Sequence, residues 1–256
     1  MSLLTPFIKD LRSKGWSQHP QLIDSSIISE IRSFIKYIHQ SSTDPSVQLY
    51  REKNRLTSQL ILARVEGFLE TRPVFKALVH SSFVDEILIH FFGEPGILFK
   101  EKINFRQSGS NGYGPHQDHP AYAMFPVSRY LTLGIFLEDM NDSHGILSFA
   151  SGQHLQGIFP YNQRGQIEPE IQLNWNWSKA QGPAGTLFVF DSFTPHFSVP
   201  NDSNKEKPIL YLTFNKTSEG DHRKTYFERK AISLKEHSED FIFYNFANPF
   251  AWDNKE

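Results

Sequence analysis

Two histidines and one aspartate are the residues of this chain whose types and spacing point most directly to chemistry. His116 and Asp118 stand two residues apart in the run Gly114-Pro115-His116-Gln117-Asp118-His119-Pro120. On extended chain, side chains two residues apart point the same way, so one metal ion could take both as ligands. His196 offers a third ligand. Two histidines and one carboxylate, with the remaining positions open, form the facial triad that binds non-haem Fe(II).

The same donor set also suits Zn²⁺, so a zinc hydrolase is an alternative interpretation. Zinc hydrolases often carry two histidines on a His-Glu-x-x-His helix, and that motif does not occur in the sequence. His116 and His196 are instead eighty residues apart, each at the end of a predicted strand. This separation fits a β-barrel better than a helical zinc site.

The first hundred residues are predicted to be mainly helical. Apolar residues recur at helical spacing after Asp24, which is available as an N-cap. A second apolar run, from Leu60 to Leu69, has the same period, and Pro73 suits the first turn of a short helix. Ser82, with Asp85 three residues later, resembles a capping box. We therefore expect helices with one buried face that pack on a sheet.

From Ile97 onward the pattern changes to the alternation that is typical of strands. Four polar residues share one face of the first of these strands: Lys100, Lys102, Asn104 and Arg106. Two interpretations are open for this face. Either the strand lies at a half-exposed edge with a solvated basic face, or the basic face lines a cavity that binds an anion.

Short strands separated by Gly, Pro and Asn turns continue to Asn215. The order, helices first and then many short strands, predicts a single α+β domain with a jelly-roll core and the N-terminal helices on one side. We expect residues 1–96 to be helical support, 97–216 the barrel core, and 217–256 a C-terminal covering segment. In that last segment, aromatic residues are expected to cover one side of the barrel: Phe241, Phe243, Tyr244 and Phe246.

Composition excludes several classes of function. The sequence has no cysteine, which rules out disulfides, thiolate metal sites and a cysteine nucleophile. The net charge of -2 predicts neither a nucleic-acid partner nor an anionic membrane partner. No apolar run approaches the ~20 residues of a membrane span, and the N-terminal stretch is interrupted by charges, unlike a signal peptide. We therefore predict a cytoplasmic protein.

Five motifs can be compared with known families: His116-Gln117-Asp118, Gly145-Ile146-Leu147, Ser151-Gly152-Gln153-His154, Gly185-Thr186-Leu187-Phe188, and His196 with Ser198 and Asn201. Together they resemble the phytanoyl-CoA hydroxylase family of Fe(II)- and 2-oxoglutarate-dependent dioxygenases. The resemblance extends from Gly15-Trp16 to Asn215. Within the family, the run from Leu98 to Phe105 that leads into the His116 motif is most similar to the branch that hydroxylates 2-aminoethylphosphonate and related small zwitterions.

The resemblance implies a double-stranded β-helix in which His116, Asp118 and His196 hold Fe(II). It also implies 2-oxoglutarate as the co-substrate, O2 as the oxidant, and succinate and CO2 as co-products. Family relatives that halogenate replace the carboxylate ligand with a small residue, so the presence of Asp118 predicts hydroxylation.

The chain departs from the family pattern at Lys207. Family members usually carry an arginine here, eleven residues after the distal histidine, to pair with the distal carboxylate of 2-oxoglutarate. Arginine offers a planar fork for a carboxylate, whereas lysine is a point charge. Three interpretations follow: Lys207 does the same job more weakly, another cation such as Lys102 or Arg106 takes over, or the co-substrate site is altered. We favour the first, because the position of the cation is kept.

By the same resemblance, Gln117, Asn104, Thr132 and Ser198 are candidates to hydrogen-bond the co-substrate. Ser198 would share a face with His196 on extended chain. For each of the four, a purely structural hydrogen bond is the alternative.

The substrate is expected to be a small polar or zwitterionic metabolite, with aminophosphonates as one class. Lys100, Lys102 and Arg106 could contact its anionic group. Aromatic residues that could face a cationic group are Tyr113, Tyr122 and Trp175. The departure at Lys207 also motivates another alternative, a jelly-roll protein that binds a small molecule without catalysis.

Overall fold

The computed structural model describes residues 4–41, 44–141 and 145–236. This part of the chain contains five α-helices: α1 (Leu4–Lys14), α2 (Ser25–Gln40), α3 (Pro73–Val79), α4 (Ser82–Phe92) and α5 (Arg223–Glu236). It also contains eleven strands: β1 (Trp16–His19), β2 (Gln48–Lys53), β3 (Leu60–Glu66), β4 (Gly96–Asn104), β5 (Tyr113–His116), β6 (Leu131–Phe136), β7 (Leu147–Ala150), β8 (Trp177–Ala180), β9 (Leu187–Asp191), β10 (His196–Ser198) and β11 (Ile209–Lys216).

The strands form two antiparallel sheets. The larger has the order β1-β9-β6-β11-β4-β3-β2 and the smaller the order β5-β10-β7-β8. From β4 to β11 the chain passes back and forth between them, which is the predicted double-stranded β-helix. Aromatic side chains fill the space between the sheets: the Trp16 and Phe149 rings stack with centroids 4.9 Å apart, and Phe190 lies 4.7 Å from the His196 ring. The second ligand histidine therefore rests on a packed aromatic layer.

The N-terminal helices cover the outer face of the larger sheet, as predicted. One face of α2 is buried, and its residues are Ile28, Ile31, Phe34, Ile35 and Ile38. They belong to the same apolar cluster as residues of the central strands, such as Leu133 and Leu212. Burial of this stripe holds the helix on the sheet, because each aliphatic side chain removed from water contributes about 1.5–3 kcal/mol.

Two local expectations are wrong. The run from Leu60 is strand β3, which pairs with both β2 and β4. A short apolar run does not by itself separate a helix from a buried strand, and pairing with two neighbours decides here in favour of the strand. The capping box at Ser82 does not form either: α4 is preceded by Ser81, whose hydroxyl donates to the Leu78 carbonyl (2.7 Å) instead of capping the helix.

Helix α5 closes one side of the barrel. Arg223 donates two hydrogen bonds to the buried carboxylate of Glu101 on β4, at 2.9 and 2.6 Å. Tyr226 and Lys230 are also buried on this helix. The aromatic residues that were expected to cover the barrel, Phe241, Phe243, Tyr244 and Phe246, lie outside the described residues. Among the described residues, no helix is both long enough and apolar enough to cross a membrane.

Gly134 on β6 is directly opposite Phe188 on β9, and a Cβ at this position would overlap the Phe188 ring. We predict that Gly134→Ala lowers the free energy of unfolding by about 1–3 kcal/mol, because an overpacked core must shift the ring. Urea denaturation measures the change. In the Phe188→Leu background the same substitution should cost less, and equal costs in both backgrounds would show that the ring is not the cause.

Candidate active site

The three predicted metal ligands meet at one point. Strands β5 and β10 pair with His116 directly opposite His196, and Asp118 follows two residues after the end of β5. One donor atom from each residue lies within 4.8 Å of the others. The Nε2 atoms of His116 and His196 are 3.7 and 3.8 Å from Oδ1 of Asp118.

The reason for this meeting differs from the predicted one. His116 ends its strand, and the backbone of Asp118 is helical (φ -74°, ψ -32°) at the start of a 3-10 turn. The carboxylate therefore reaches the histidines because the chain turns after β5, and the two side chains do not share one face of an extended strand.

The hydrogen bonds of the imidazoles leave the correct nitrogens for a metal. Nδ1 of His116 lies 2.9 Å from the Gly114 carbonyl, and Nδ1 of His196 lies 3.0 Å from the Thr194 carbonyl. A carbonyl only accepts, so each Nδ1 carries the proton and each Nε2 presents a lone pair. The residues present thus fit a divalent cation such as Fe(II).

The protonation states are also those that a metal needs. Burial lowers the pKa of His116 to about 3 and also lowers the pKa of His196. Burial alone would raise the pKa of Asp118, but His196 and Lys102 lower it to about 2. At neutral pH the site therefore offers two neutral imidazoles and one carboxylate, with no proton to be displaced.

A cavity opens from the triad, and five cationic residues line it: Arg51, Arg64, Lys100, Lys102 and Arg106. Three of them come from β4 or its continuation. Since β4 lies between β11 and β3 inside the larger sheet, the edge-strand interpretation of this basic face is wrong. The face lines a cavity, as the other interpretation requires, and the binding of an anion there stays a prediction.

The cations are held by buried acids and aromatic rings. Arg64 donates to Oε1 of the fully buried Glu66 at 3.0 Å and to Oδ1 of Asn104 at 2.7 Å. Nζ of Lys100 lies 4.5 Å from the centre of the Tyr122 ring, and Nζ of Lys102 lies 4.8 Å from that of Tyr211. Rings stabilise a buried ammonium less than a carboxylate does, and burial lowers the pKa of Lys100 to about 8 and the pKa of Lys102 well below its usual value. An anionic ligand in the cavity would favour the charged form of both lysines.

The candidate co-substrate residues divide into two groups. Lys102, Asn104 and Ser198 line the cavity together with the triad. The amide of Gln117 is instead held by the loops around it: its Nε2 donates to the carbonyls of Gly157 and Phe193, and its Oε1 accepts from the amide of Phe159.

Thr132 and Lys207 are the other two candidates outside that lining. Thr132 shares a buried hydrogen bond with Thr213. Lys207 is buried, and its backbone amide donates to the Arg106 carbonyl (3.2 Å). Neither Thr132 nor Lys207 is among the described residues that line the cavity.

Sequence reasoning missed several residues of this region, among them Arg64, Tyr226 and Lys230. Arg64 was assigned to a helix, although Arg64 and Glu66 at i and i+2 match the period of a strand that faces a polar cavity. Lys230 lies on a helix that is rich in charged residues, which is typical of a solvent-exposed helix. In the structure its Nζ lies 3.5 Å from Glu66 and 3.1 Å from the Tyr226 hydroxyl.

Comparison with known proteins agrees with this geometry. Residues 20–209 match the model of the phytanoyl-CoA dioxygenase family. The chain is 25% identical to a 2-aminoethylphosphonate dioxygenase from an uncultured bacterium, over 93% of this chain and 95% of the relative. It is 28% identical to a methylphosphonate hydroxylase from Gimesia maris, over 86% of this chain and 84% of the relative.

Solved structures share the fold. The structure of EctD from S. alaskensis with 2-oxoglutarate and 5-hydroxyectoine matches with a TM-score of 0.69 at 13% identity, over 84% of this chain and 77% of that one. At this identity the likeness shows the fold alone, and the fold is the one that the two sheets already indicate.

We predict that His116→Ala loses stoichiometric Fe(II), because it removes one of three ligands. His119→Ala is the matched control: this neighbouring histidine stacks on Phe193, with ring centroids 4.2 Å apart, and is not one of the clustered ligands. Metal analysis after anaerobic loading measures both variants. Full iron occupancy in His116→Ala, or its loss in His119→Ala, would contradict the assignment.

Proposed function

Because the chain belongs to the phytanoyl-CoA dioxygenase family, an Fe(II)- and 2-oxoglutarate-dependent group, we propose that it hydroxylates an aliphatic carbon of a small organophosphonate, such as an aminophosphonate. When bound, Fe(II) and 2-oxoglutarate supply the oxidation of the C–H bond, with succinate and CO2 as co-products. The relatives named for 2-aminoethylphosphonate and methylphosphonate support the substrate class.

The excess of positive charge in the cavity is the observation that carries the proposal. Five cationic residues and the three metal-ligand residues face the cavity, whereas its acidic residues are Asp118, Glu52 and, behind Arg64, Glu66. One dianionic co-substrate would not use all of this charge. A second ligand with a doubly charged head, as a phosphonate has, would complete the pairing of the buried cations.

The opposite end of an aminophosphonate is an ammonium group, and the cavity has groups that suit it. Tyr113 lines the cavity, and its ring can face a cation. Tyr122 also lines the cavity, but its ring already faces Nζ of Lys100. The carboxylate of Glu52 lines it as well, where it accepts two hydrogen bonds from Asn111. Trp175, the third aromatic candidate, packs against Phe159 and Trp177 instead. A small zwitterion thus finds both of its charges matched.

The protein's own part in the reaction is to orient the substrate and to keep water away from the metal. Phe190 lines the cavity beside His196, and the tyrosines line it beside the cations. Four buried or part-buried cations of the cavity, Arg64, Lys100, Lys102 and Arg106, form a cationic wall. Charge pairing at this wall would fix the substrate's anionic head, so that only the carbon next to it lies near the triad. Orientation of this kind contributes strongly to rate because it replaces a random encounter with a fixed geometry.

O2 as third reactant and a cytoplasmic location belong to the same proposal, since 2-oxoglutarate is a metabolite of the cell interior. The proposed partners are small molecules, and neither nucleic acid nor a membrane is among them. We also propose that the chain is one catalytic domain, with a helical support, a barrel core and a covering segment.

We predict that 2-aminoethylphosphonate stimulates succinate release from 2-oxoglutarate by the Fe(II) enzyme well above the substrate-free rate. Taurine, which has the same skeleton and a singly charged sulfonate, should stimulate it much less, because one charge of the cationic wall then stays unpaired. Succinate is measured by chromatography. No stimulation by any of a panel of phosphonates would leave the non-catalytic binder or the zinc hydrolase as the better interpretation.

We also predict a pH dependence that comes from Lys100. Burial lowers its pKa to about 8, so the free enzyme loses this charge as the pH rises above that value, and the KM for the anionic substrate should rise with it. Lys100→Met should raise KM on the order of tenfold or more at neutral pH and remove that step from the profile. The exposed Lys179 serves as control through Lys179→Met. A step near pH 8 that persists in Lys100→Met would show that another group titrates.

A further inference from the structure

We propose that the guanidinium of Arg106, and not the ammonium of Lys207, binds the distal carboxylate of 2-oxoglutarate in this chain. The proposal rests on the use of this co-substrate and not on the identity of the substrate. Arg106 is buried at 8% exposure and lines the same cavity as the triad.

The backbone of Arg106 is held in an unusual conformation. Its φ is +52°, a left-handed value that residues other than glycine rarely adopt. Two hydrogen bonds to its carbonyl hold it there: Nδ2 of the fully buried Asn201 donates at 2.6 Å, and the amide of Lys207 donates at 3.2 Å. Strain that the surroundings maintain in this way is common where a side chain must be aimed at a ligand.

The guanidinium has donors to spare. Its NH1 donates to the Ser198 hydroxyl at 3.0 Å and its NH2 to the Val199 carbonyl at 2.7 Å. Its Nε is buried and has no hydrogen-bond partner within the described structure. A guanidinium has five N–H donors, so several remain for a ligand, and a buried donor without a partner is costly unless a ligand satisfies it.

Ser198 adds a second group to the same subsite. Because its oxygen accepts from Arg106, its own proton is free to be donated to a carboxylate. Ser198 lies two residues after His196 on β10, about 7 Å along the strand. Arg106 and Ser198 together therefore present a charged fork and a hydroxyl at a distance from the metal ligands that a five-carbon keto diacid can span.

The neighbouring glycine keeps this space open. A Cβ at Gly145 would stand 3.3 Å from Nε of Arg106, against the guanidinium itself. Any side chain at this position would press on the unpartnered donor.

Lys207 does not share these features. It is buried opposite Arg106, where β4 and β11 continue beyond their ends, yet it is not among the described residues that line the cavity. Arg106, just beyond the end of β4, thus supplies the planar fork that lysine cannot. The departure from the family pattern at Lys207 becomes a relocation of the cation rather than a weakening of the site.

Measurements of equilibrium binding can decide whether Arg106 or Lys207 binds the distal carboxylate. We would titrate the Mn(II)-loaded protein by calorimetry with 2-oxoglutarate and with 2-oxopentanoate, which has the same carbon chain without the distal carboxylate. Wild type should prefer 2-oxoglutarate. Arg106→Met should weaken 2-oxoglutarate binding on the order of 100-fold and leave 2-oxopentanoate binding within a few-fold, so that the preference disappears. Lys207→Met should keep the preference.

If Arg106 had only a structural role, Arg106→Met would lower the affinities for 2-oxoglutarate and 2-oxopentanoate by the same factor. An equal loss of both affinities would therefore overturn the proposal. A preference retained in Arg106→Met, or lost in Lys207→Met, would overturn it as well. If Arg106→Met does not fold by circular dichroism, Arg106→Lys carries the test: it keeps a cation but loses the fork, and the preference should fall about tenfold. No binding of 2-oxoglutarate by wild type would instead contradict the co-substrate itself.

Discussion

The antiparallel pairing of β5 with β10 is the interaction on which the site depends. It sets His116 directly opposite His196, although the two lie eighty residues apart in the sequence. A slip of one residue in this register would turn one imidazole to the other face of the sheet, and the three donors could then no longer bind one metal ion. The aromatic layer beneath His196 and the pairing of β10 with β7 on its other side keep the register fixed.

The second constraint is the burial of charge around the metal ligands. The larger sheet brings Lys100, Lys102 and Arg64 to one wall, and α5 adds Lys230 behind them, close to Glu66. Such charges are expensive to bury without partners, and the rings of Tyr122 and Tyr211 offset only part of that cost. A cationic wall that has too few acidic partners, next to a metal site, favours the binding of anionic ligands. The proposed pair, a keto diacid and a phosphonate, supplies that missing negative charge.

The parts of this picture that depend on local patterns could be predicted from the sequence. The stripe of α2, the alternation of β4 and the His-x-Asp spacing are local, and the motifs around them indicated the family and the fold. The nature of β3 could not be predicted, because its pairing with β2 and β4 outweighs a short apolar run that also fits a helix. The places of Lys207 and Arg106 depend on how two strands end opposite each other and on the left-handed backbone at Arg106. No pattern of residue types encodes that geometry.

Use of labelled O2 gives the most direct test of the central claim, that one cavity couples 2-oxoglutarate oxidation to hydroxylation of a phosphonate. With 2-aminoethylphosphonate as substrate, mass spectrometry should find one labelled oxygen atom in succinate and the other in the new hydroxyl group. Labelled succinate together with an unmodified phosphonate, or a product hydroxyl that comes from water, would contradict the account.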